Sequence, residues 1–336
     1  MSRTVYTVSH YGADQSGLVC GYAFEPGAAG RLIDSAAASA WLSGTRNSGF
    51  LWLHFSLSHV ASQAWMQQHV DIPPEYYELL QGTPTTRLEV VGDDLLVVVN
   101  DVQFFGVDPS AVSRVFLFVS GGVMVSARTT PVRAIDRLRT SVKDGEAFRS
   151  TVDLLAHLLR DQADVLVDIV RDATRQVDQA EDRILDADTS TNRPRLGALR
   201  RVLVRLQRLL APEPAALFRL LNHPPAWLDA EDVSGLRGSA EELSSAVADS
   251  VALAERVRLL QEELMALLNE RTSRTLFTLT VVTALGLPLA IIPGLFGMNV
   301  EHIPFKDSRL AFWAIAALVL VVPGVIIALW IRRDRV

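Results

Sequence analysis

The sequence predicts an α+β membrane protein. An N-terminal α/β domain is followed by a charged helical hairpin, and then by a very long stalk helix that continues into the first of two C-terminal transmembrane helices. Three observations carry this reading. Two uncharged apolar runs, Thr275–Met298 and Leu310–Ile331, lie near the C-terminal end. Strand-like and helix-like segments alternate through the first 145 residues, and helical periodicity takes over beyond them.

The apolar runs have about 24 and about 22 residues. As helices they exceed the roughly 30 Å of a bilayer hydrocarbon core. Charge sets the orientation. Arg271 and Arg274 precede the first run, and Arg332, Arg333 and Arg335 follow the second. The charges of the connecting loop, Glu301, Lys306, Asp307 and Arg309, cancel. Basic residues at both outer ends place both termini in the cytoplasm. Trp313 and Trp330 fall near the ends of the second run, where interfacial aromatics belong.

Two helices enclose no pathway, so a pore requires an oligomer with one span per subunit facing an axis. In the first run Ser273, Leu276, Thr280, Thr283, Leu287, Ala290 and Gly294 follow a three-four spacing and share one seam. The hydroxyls of Thr280 and Thr283 can line such a pore or serve as packing contacts to backbone. Pro288 and Pro293 are expected to bend or loosen the outer half of this helix.

In the soluble part, "GLVCGYAF", "GFLWLHFSL", "RLEVVG", "DLLVVVNDVQFF" and "RVFLFVSGGVMVSART" read as strands, the last turning at Gly121–Gly122. "SHVASQAWMQQHV", with Ser58 as its cap, "PPEYYELLQ" and "PVRAIDRLRTSV" read as helices. The hairpin that follows has an acidic first arm with Asp164, Asp168 and Asp172 four apart, and a basic second arm with Arg195, Arg200, Arg201, Arg205 and Arg208. The carboxylate row is expected to be a solvated face paired with the basic arm; divalent cation binding is the alternative. "NHPPAWLDAEDVSGLRG" then interrupts, and Ser239 with Glu242 reads as a capping box. From Ser239 to Leu285 there is neither Gly nor Pro, so one helix of about fifty residues or more, near 80 Å, should run into the first span. The resulting boundaries are 1–145 for the α/β domain, 146–225 for the hairpin and 226–274 for the stalk. The first span follows at 275–298, the outer loop at 299–309, the second span at 310–331 and the basic tail at 332–336.

Composition narrows the function. A net charge of -6 argues against a nucleic-acid partner. The single Cys20 excludes an internal disulfide framework and reads as a core strand residue. There is no glycine-rich phosphate loop and no signal peptide. His54 and His59 belong to no recognisable catalytic triad or metal motif and read as structural or surface residues, so no enzyme is expected.

Between the two runs stands "GLFGMNVEHIPF". Gly297-Met298-Asn299 at the outer end of the penultimate span, after a very long helix and before a basic tail, resembles the CorA superfamily of divalent-cation transporters. "WLHFSLSHVASQAW" and "LRRVLVRLQRLLAPEPAALFRLL" are similar to soluble segments of the same superfamily. "LPLAIIPGLFGMNV" with Ile303-Pro304 looks like its ZntB-like, zinc-transporting branch. Glu301 and His302 depart from the glycines usual there. Phe296 and Ala290 stand where the magnesium-transporting branch has tyrosine and threonine.

The resemblance implies a funnel-shaped homopentamer in the bacterial inner membrane, surrounded by lipid, with the first span lining the pore. It implies that Gly297, Met298 and Asn299 form the outer mouth, where a ring of neutral carbonyls can hold a hydrated divalent ion by its water shell. Glu301 could concentrate cations at the mouth and His302 could ligate metal. Arg271, Arg274, Arg332, Arg333 and Arg335 would form a basic girdle at the cytoplasmic exit. No prosthetic group is implied. Zinc is the cargo the resemblance favours, with magnesium, cobalt, nickel and cadmium as others, and proton coupling is left open. A magnesium/cobalt channel of the same build is the alternative, and a non-transporting membrane-anchored scaffold or regulatory protein the second.

Overall fold

The structure, a computed structural model, describes residues 12–25, 28–44, 49–82, 85–103, 112–185 and 192–296, and beyond these only 310, 313, 314, 317, 321, 324 and 325. The chain divides into two compact units, 1–261 and 262–336.

The first unit is built on one mixed seven-stranded sheet. In chain order the strands are β1 (Leu18–Phe24), β2 (Arg31–Ile33), β3 (Phe50–Ser56), β4 (Arg87–Val91), β5 (Asp94–Val102), β6 (Val112–Val119) and β7 (Val123–Arg128). Their spatial order is β2-β1-β3-β7-β6-β5-β4. Among the described residues only β3 and β7 pair in parallel; every other strand pair is antiparallel. The β6–β7 hairpin closes at Gly121–Gly122 as expected, with Ser120 N–H donating to the Val123 carbonyl at 2.9 Å.

The run "LLVVV" in β5 is apolar throughout because both faces of the sheet are covered. Leu95, Val97 and Val99 enter one core, with Trp52, Leu117 and Met124. Leu96 and Val98 enter the other, with Leu51, Leu53, Phe116 and Val125. The second core is closed by α1 (Ser35–Ser43), α2 (Ala61–His69) and α3 (Pro74–Gln81). The first is closed by α4 (Arg133–Lys143), the start of α5 (Thr151–Leu185), α7 (Pro212–Asn222) and the start of α8 (Ala230–Phe296). Phe24 stacks on Phe50 at 4.8 Å and meets Phe148 edge-on at 5.8 Å. At Gly49 a Cβ would stand 2.2 Å from the Phe24 carbonyl oxygen, so no other residue fits there.

At the end of β5, beside Val102, α5, α6 (Asn192–Leu210) and α8 share a third core of Ala163, Leu166, Ile169, Leu206, Leu210, Leu243 and Ala246. Cys20 is buried in β1 as expected, and burial pushes its thiol up to about 12.

Several local expectations are corrected. α2 starts at Ala61, and Ser58 does not cap it: its hydroxyl donates to the Thr129 carbonyl at 2.8 Å. Ser239 is no helix start either. α8 begins at Ala230, with Asp229 Oδ1 accepting from Asp232 N–H at 2.7 Å. Gly235 and Gly238 are helical, and the Ser239 hydroxyl donates to the Ala156 carbonyl of α5. Two acids of the row have partners outside the basic arm. Asp168 pairs with Arg137 of α4 at 2.6 Å and with Arg171 of its own helix, and Asp172 pairs with Arg175. Among the described residues no group of three His, Cys, Asp or Glu side chains could hold a metal ion. β2 and α1, with Asp34 accepting from Ala37 N–H at 2.8 Å, are elements that periodicity did not announce.

The second unit contains the rest of α8. Leu276, Phe277, Leu279, Val282, Leu287 and Ile291 are exposed there on several sides of the helix. Among the described residues no helix is long and apolar enough to cross a membrane. Residues 297–309 and most of the second apolar run lie outside the described set.

Candidate ion path on helix α8

Ser273, Leu276, Thr280, Thr283, Leu287, Ala290 and Gly294 all lie on α8 and are all exposed. At about 100° per residue they fall within an arc of about 100°, which makes the predicted seam a continuous stripe along one helix face. Leu276 and Leu287 are each 58% exposed, so two bulky apolar side chains punctuate a stripe of hydroxyls and small residues.

The hydroxyls have a defined polarity. Thr280 Oγ1 donates to the Leu276 carbonyl at 2.8 Å, and Thr283 Oγ1 donates to the Leu279 carbonyl at 2.8 Å. Thr272, Thr275 and Thr278 repeat the pattern on the carbonyls of Leu268, Arg271 and Arg274 at 2.9–3.0 Å. A hydroxyl that donates its only proton inward presents oxygen lone pairs outward. The stripe is thus an acceptor surface, suited to the hydrogens of a cation's water shell. Thr272 shares the stripe, and the sequence reading passed over it although its eight-residue and eleven-residue spacing to Thr280 and Thr283 was legible. Thr275 and Thr278 point elsewhere on the helix.

Arg271 and Arg274 lie on the opposite side of α8, each about 150° from the centre of the stripe. The two arginines are therefore not brought together with the seam. Gly297, Met298, Asn299, Glu301, His302, Arg332, Arg333 and Arg335 lie outside the described residues.

One constellation in the first unit was missed altogether. Glu213 of α7 is fully buried. Its Oε1 accepts from Asn100 N–H at 2.6 Å, and its Oε2 accepts from Gln162 Nε2 at 2.5 Å. Gln162 also donates to the Asn100 carbonyl, and Asn100 Nδ2 donates to Thr86 Oγ1 and to the Leu209 carbonyl. Burial pushes Glu213 up to about 8, with neighbouring Asp101 adding to the rise. Asp101, accepting from the N–H groups of Val102 and Ala134, is itself raised to about 7 by burial. Asp161 is raised to about 7, again chiefly by burial. The available signals were "VVVNDVQ", two polar residues inside an apolar strand, and "PEPAALF", an acid opening an apolar helix.

Comparison with known proteins identifies the family of the chain. The model of the CorA-like Mg2+ transporter protein family matches residues 47–333. The chain is 26% identical over 313 residues to the divalent cation transporter CmaX of Pseudomonas aeruginosa, covering 91% of this chain and 93% of that one. It is 24% identical over 286 residues to the zinc transport protein ZntB of Pectobacterium carotovorum, covering 84% and 87%. Among solved structures, full-length CmaX superposes with a TM-score of 0.80 at 24% identity, over 96% of this chain and 99% of that one. The CorA magnesium transporter of Methanocaldococcus jannaschii superposes at 0.74 and 17%, over 93% and 97%. The α/β domain and its long helix therefore have the CorA-like fold, and the chain belongs to the family of CorA-like Mg2+ transporter proteins.

Proposed function

We propose that the chain forms a homopentameric pore in the bacterial inner membrane and carries divalent metal, zinc before magnesium. The observation that carries this is the family match over residues 47–333, which takes in both apolar runs and the loop between them. The runs cross the bilayer, both termini are cytoplasmic, and α8 lines the pore while the second span faces lipid. The basic residues outside each run anchor that orientation. Arg271 and Arg274, turned away from the stripe, act as inside anchors, so a girdle facing the exit falls to the tail arginines.

At the outer mouth, Asn299 offers a carbonyl without a full charge, so a hydrated ion is held by its waters and released again. Gly297 allows the backbone to turn out of the helix and Met298 packs against it. Below the mouth, the threonine oxygens accept from the same water shell. Leu276 and Leu287 form apolar constrictions where the path can close. Selectivity is assigned to the two loop residues that set this chain apart: Glu301 draws cations in, and the imidazole of His302 suits zinc, nickel, cobalt or cadmium better than magnesium. The zinc transport protein among the relatives supports that order. A magnesium/cobalt channel remains the second reading, favoured by the family's Mg2+ description.

Uptake into liposomes loaded with a metal-sensitive dye separates these. Zinc flux exceeding magnesium flux is expected, and the reverse order selects the second reading. Zinc flux compared with and without a proton gradient decides between passive and coupled transport. An intact pentamer passing neither metal would point to a scaffold.

A further inference from the structure

The segment 144–150 between α4 and α5 is tied to several elements of the first unit at once. It turns at Gly145, whose φ of +92° favours glycine. Gly145 and Glu146 donate their N–H groups to the carbonyls of Val142 and Ser141 and so close the end of α4. Ala147 bridges to Ala29, just before β2. Phe148 is buried and meets the ring of His157 edge-on at 5.3 Å. Arg149 pairs with Glu231 at 2.5 Å, and the Ser150 hydroxyl donates to Asp232 Oδ1 at 2.7 Å; both acids stand in the first turn of α8.

His157 of α5 has a carboxyl group facing each ring nitrogen. Glu146 Oε1 lies 3.4 Å from Nδ1, and Asp161 Oδ2 lies 3.7 Å from Nε2. The side chains of His157 and Asp161 are only 16% and 12% exposed. Asp161 Oδ2 is buried and has no hydrogen-bond partner among the described residues. A neutral imidazole carries a single N–H, so it can meet only one of the two acids with a proton. Its other nitrogen then sets a lone pair against a carboxylate oxygen. One further proton removes that conflict: the ring N–H on Nδ1 points at Glu146, and the added proton lies between Nε2 and Asp161 Oδ2.

We infer that Glu146, His157 and Asp161 form a one-proton clasp, which fastens segment 144–150 to α5 and loosens it, together with the start of α8, when the proton leaves. The charged groups around the clasp are Asp153, Arg160 and Asp164 on α5, Arg137 on α4 and Asp101 on β5. Burial lifts the Asp161 carboxyl to about 7 and holds the His157 ring below its ordinary value, so the shared proton rests on the carboxyl. A carboxyl raised in the folded chain contributes fully below its unfolded value, and the contribution is lost as pH rises through about 7. The clasp is therefore closed in mild acid and open in mild base. None of its three members belongs to the stripe on α8, so its state is measurable without transport.

The test uses the full chain in detergent and follows amide hydrogen exchange by mass spectrometry at pH 6.0 and 8.5, each rate corrected for the intrinsic effect of pH. In the parent chain, protection of the peptides spanning 144–150 and the first turn of α8 should fall at least about threefold between the two pH values. Asp161→Asn carries an amide N–H in place of the titrating proton, so protection there should stay high at both. His157→Phe keeps the ring contact with Phe148 and removes the clasp, so protection should be low at both. Glu213→Gln should leave the response of these peptides unchanged, which separates the clasp from that buried acid. Protection in the parent chain that does not change with pH overturns the inference. So does a parent-like fall in Asp161→Asn or in His157→Phe, or loss of the response in Glu213→Gln.

Discussion

The main-chain N–H of Asn100 donates to Glu213 Oε1 at 2.6 Å, joining β5 to helix α7 through a fully buried carboxyl. The groups facing it are Asn100 and Asp101 on β5 and Gln162 on α5. Glu213 is raised to about 8 in the folded chain, above an ordinary carboxylate. The folded state then binds the proton more tightly than the unfolded state. The stability this contributes is complete below the unfolded value and is lost as pH rises through the folded one. From about pH 5 to 8 the loss is on the order of a few kcal/mol. Glu213→Gln, which has no proton to lose, should flatten the fall in melting temperature between pH 5.5 and about 8.5 relative to the parent chain. Parallel curves for the two proteins would remove Glu213 as the source.

His54 behaves in the opposite sense. Arg128 Nε, which can only donate, reaches His54 Nε2 at 2.8 Å, so the ring proton sits on Nδ1 and is donated to Ser126 Oγ at 2.8 Å. Trp52 Nε1 donates to the same oxygen at 2.9 Å. Burial, with Arg128 and Arg139 adding to it, holds His54 well below its ordinary value. Its contribution is therefore full above the unfolded histidine value and is lost as pH falls below it. Ser126→Ala would leave two buried donors without an acceptor, at a cost of about 2–4 kcal/mol. A drop of several degrees in melting temperature is expected; less than about one degree would mean that the donors find other partners.

The threonine stripe separates by face. Thr280→Val with Thr283→Val keeps side-chain shape and removes the outward oxygens, and should lower metal flux several-fold. Serine at both positions should restore much of it. Thr275→Val with Thr278→Val, off the stripe, should leave flux near the parent value. Equal losses from the two pairs would assign the hydroxyls to helix packing.

Arg256 of α8 meets Asp178 at 2.8 Å and also pairs with Glu181, on α5. Its side chain is 41% exposed, so solvent screens the pairs. Arg256→Ala should cost about 1 kcal/mol or less, and the difference should shrink in high salt. A large, salt-independent loss would indicate a packing role for the side chain.

What the sequence disclosed follows from the range of the interactions involved. β5 and α8 were legible because each carries a local pattern, an unbroken apolar run in one and the stretch from Ser239 to Leu285 without Gly or Pro in the other. β2 has three residues and α1 is alanine-rich, so neither offers enough contrast to be read. The start of α8 was misplaced because Gly235 and Gly238 mimic a break, while Asp229 upstream forms the cap. The stripe on α8 was legible for the same local reason as the helix. The buried acid was not: Asn100, Gln162 and Glu213 lie 62 and 51 residues apart, and only the packing of α5 and α7 against the sheet joins them. Asp168 reaches Arg137 because α4 packs against α5, a tertiary fact that charge spacing cannot express.

The central claim, that metal crosses through a mouth formed by Gly297-Met298-Asn299, rests most directly on Asn299. Purified chain and Asn299→Ala should be reconstituted as pentamers at equal density, and zinc entry followed with a dye inside the liposomes. The account predicts robust entry for the parent chain and loss of nearly all of it for Asn299→Ala with the pentamer intact. Undiminished zinc entry through the Asn299→Ala pentamer would contradict it.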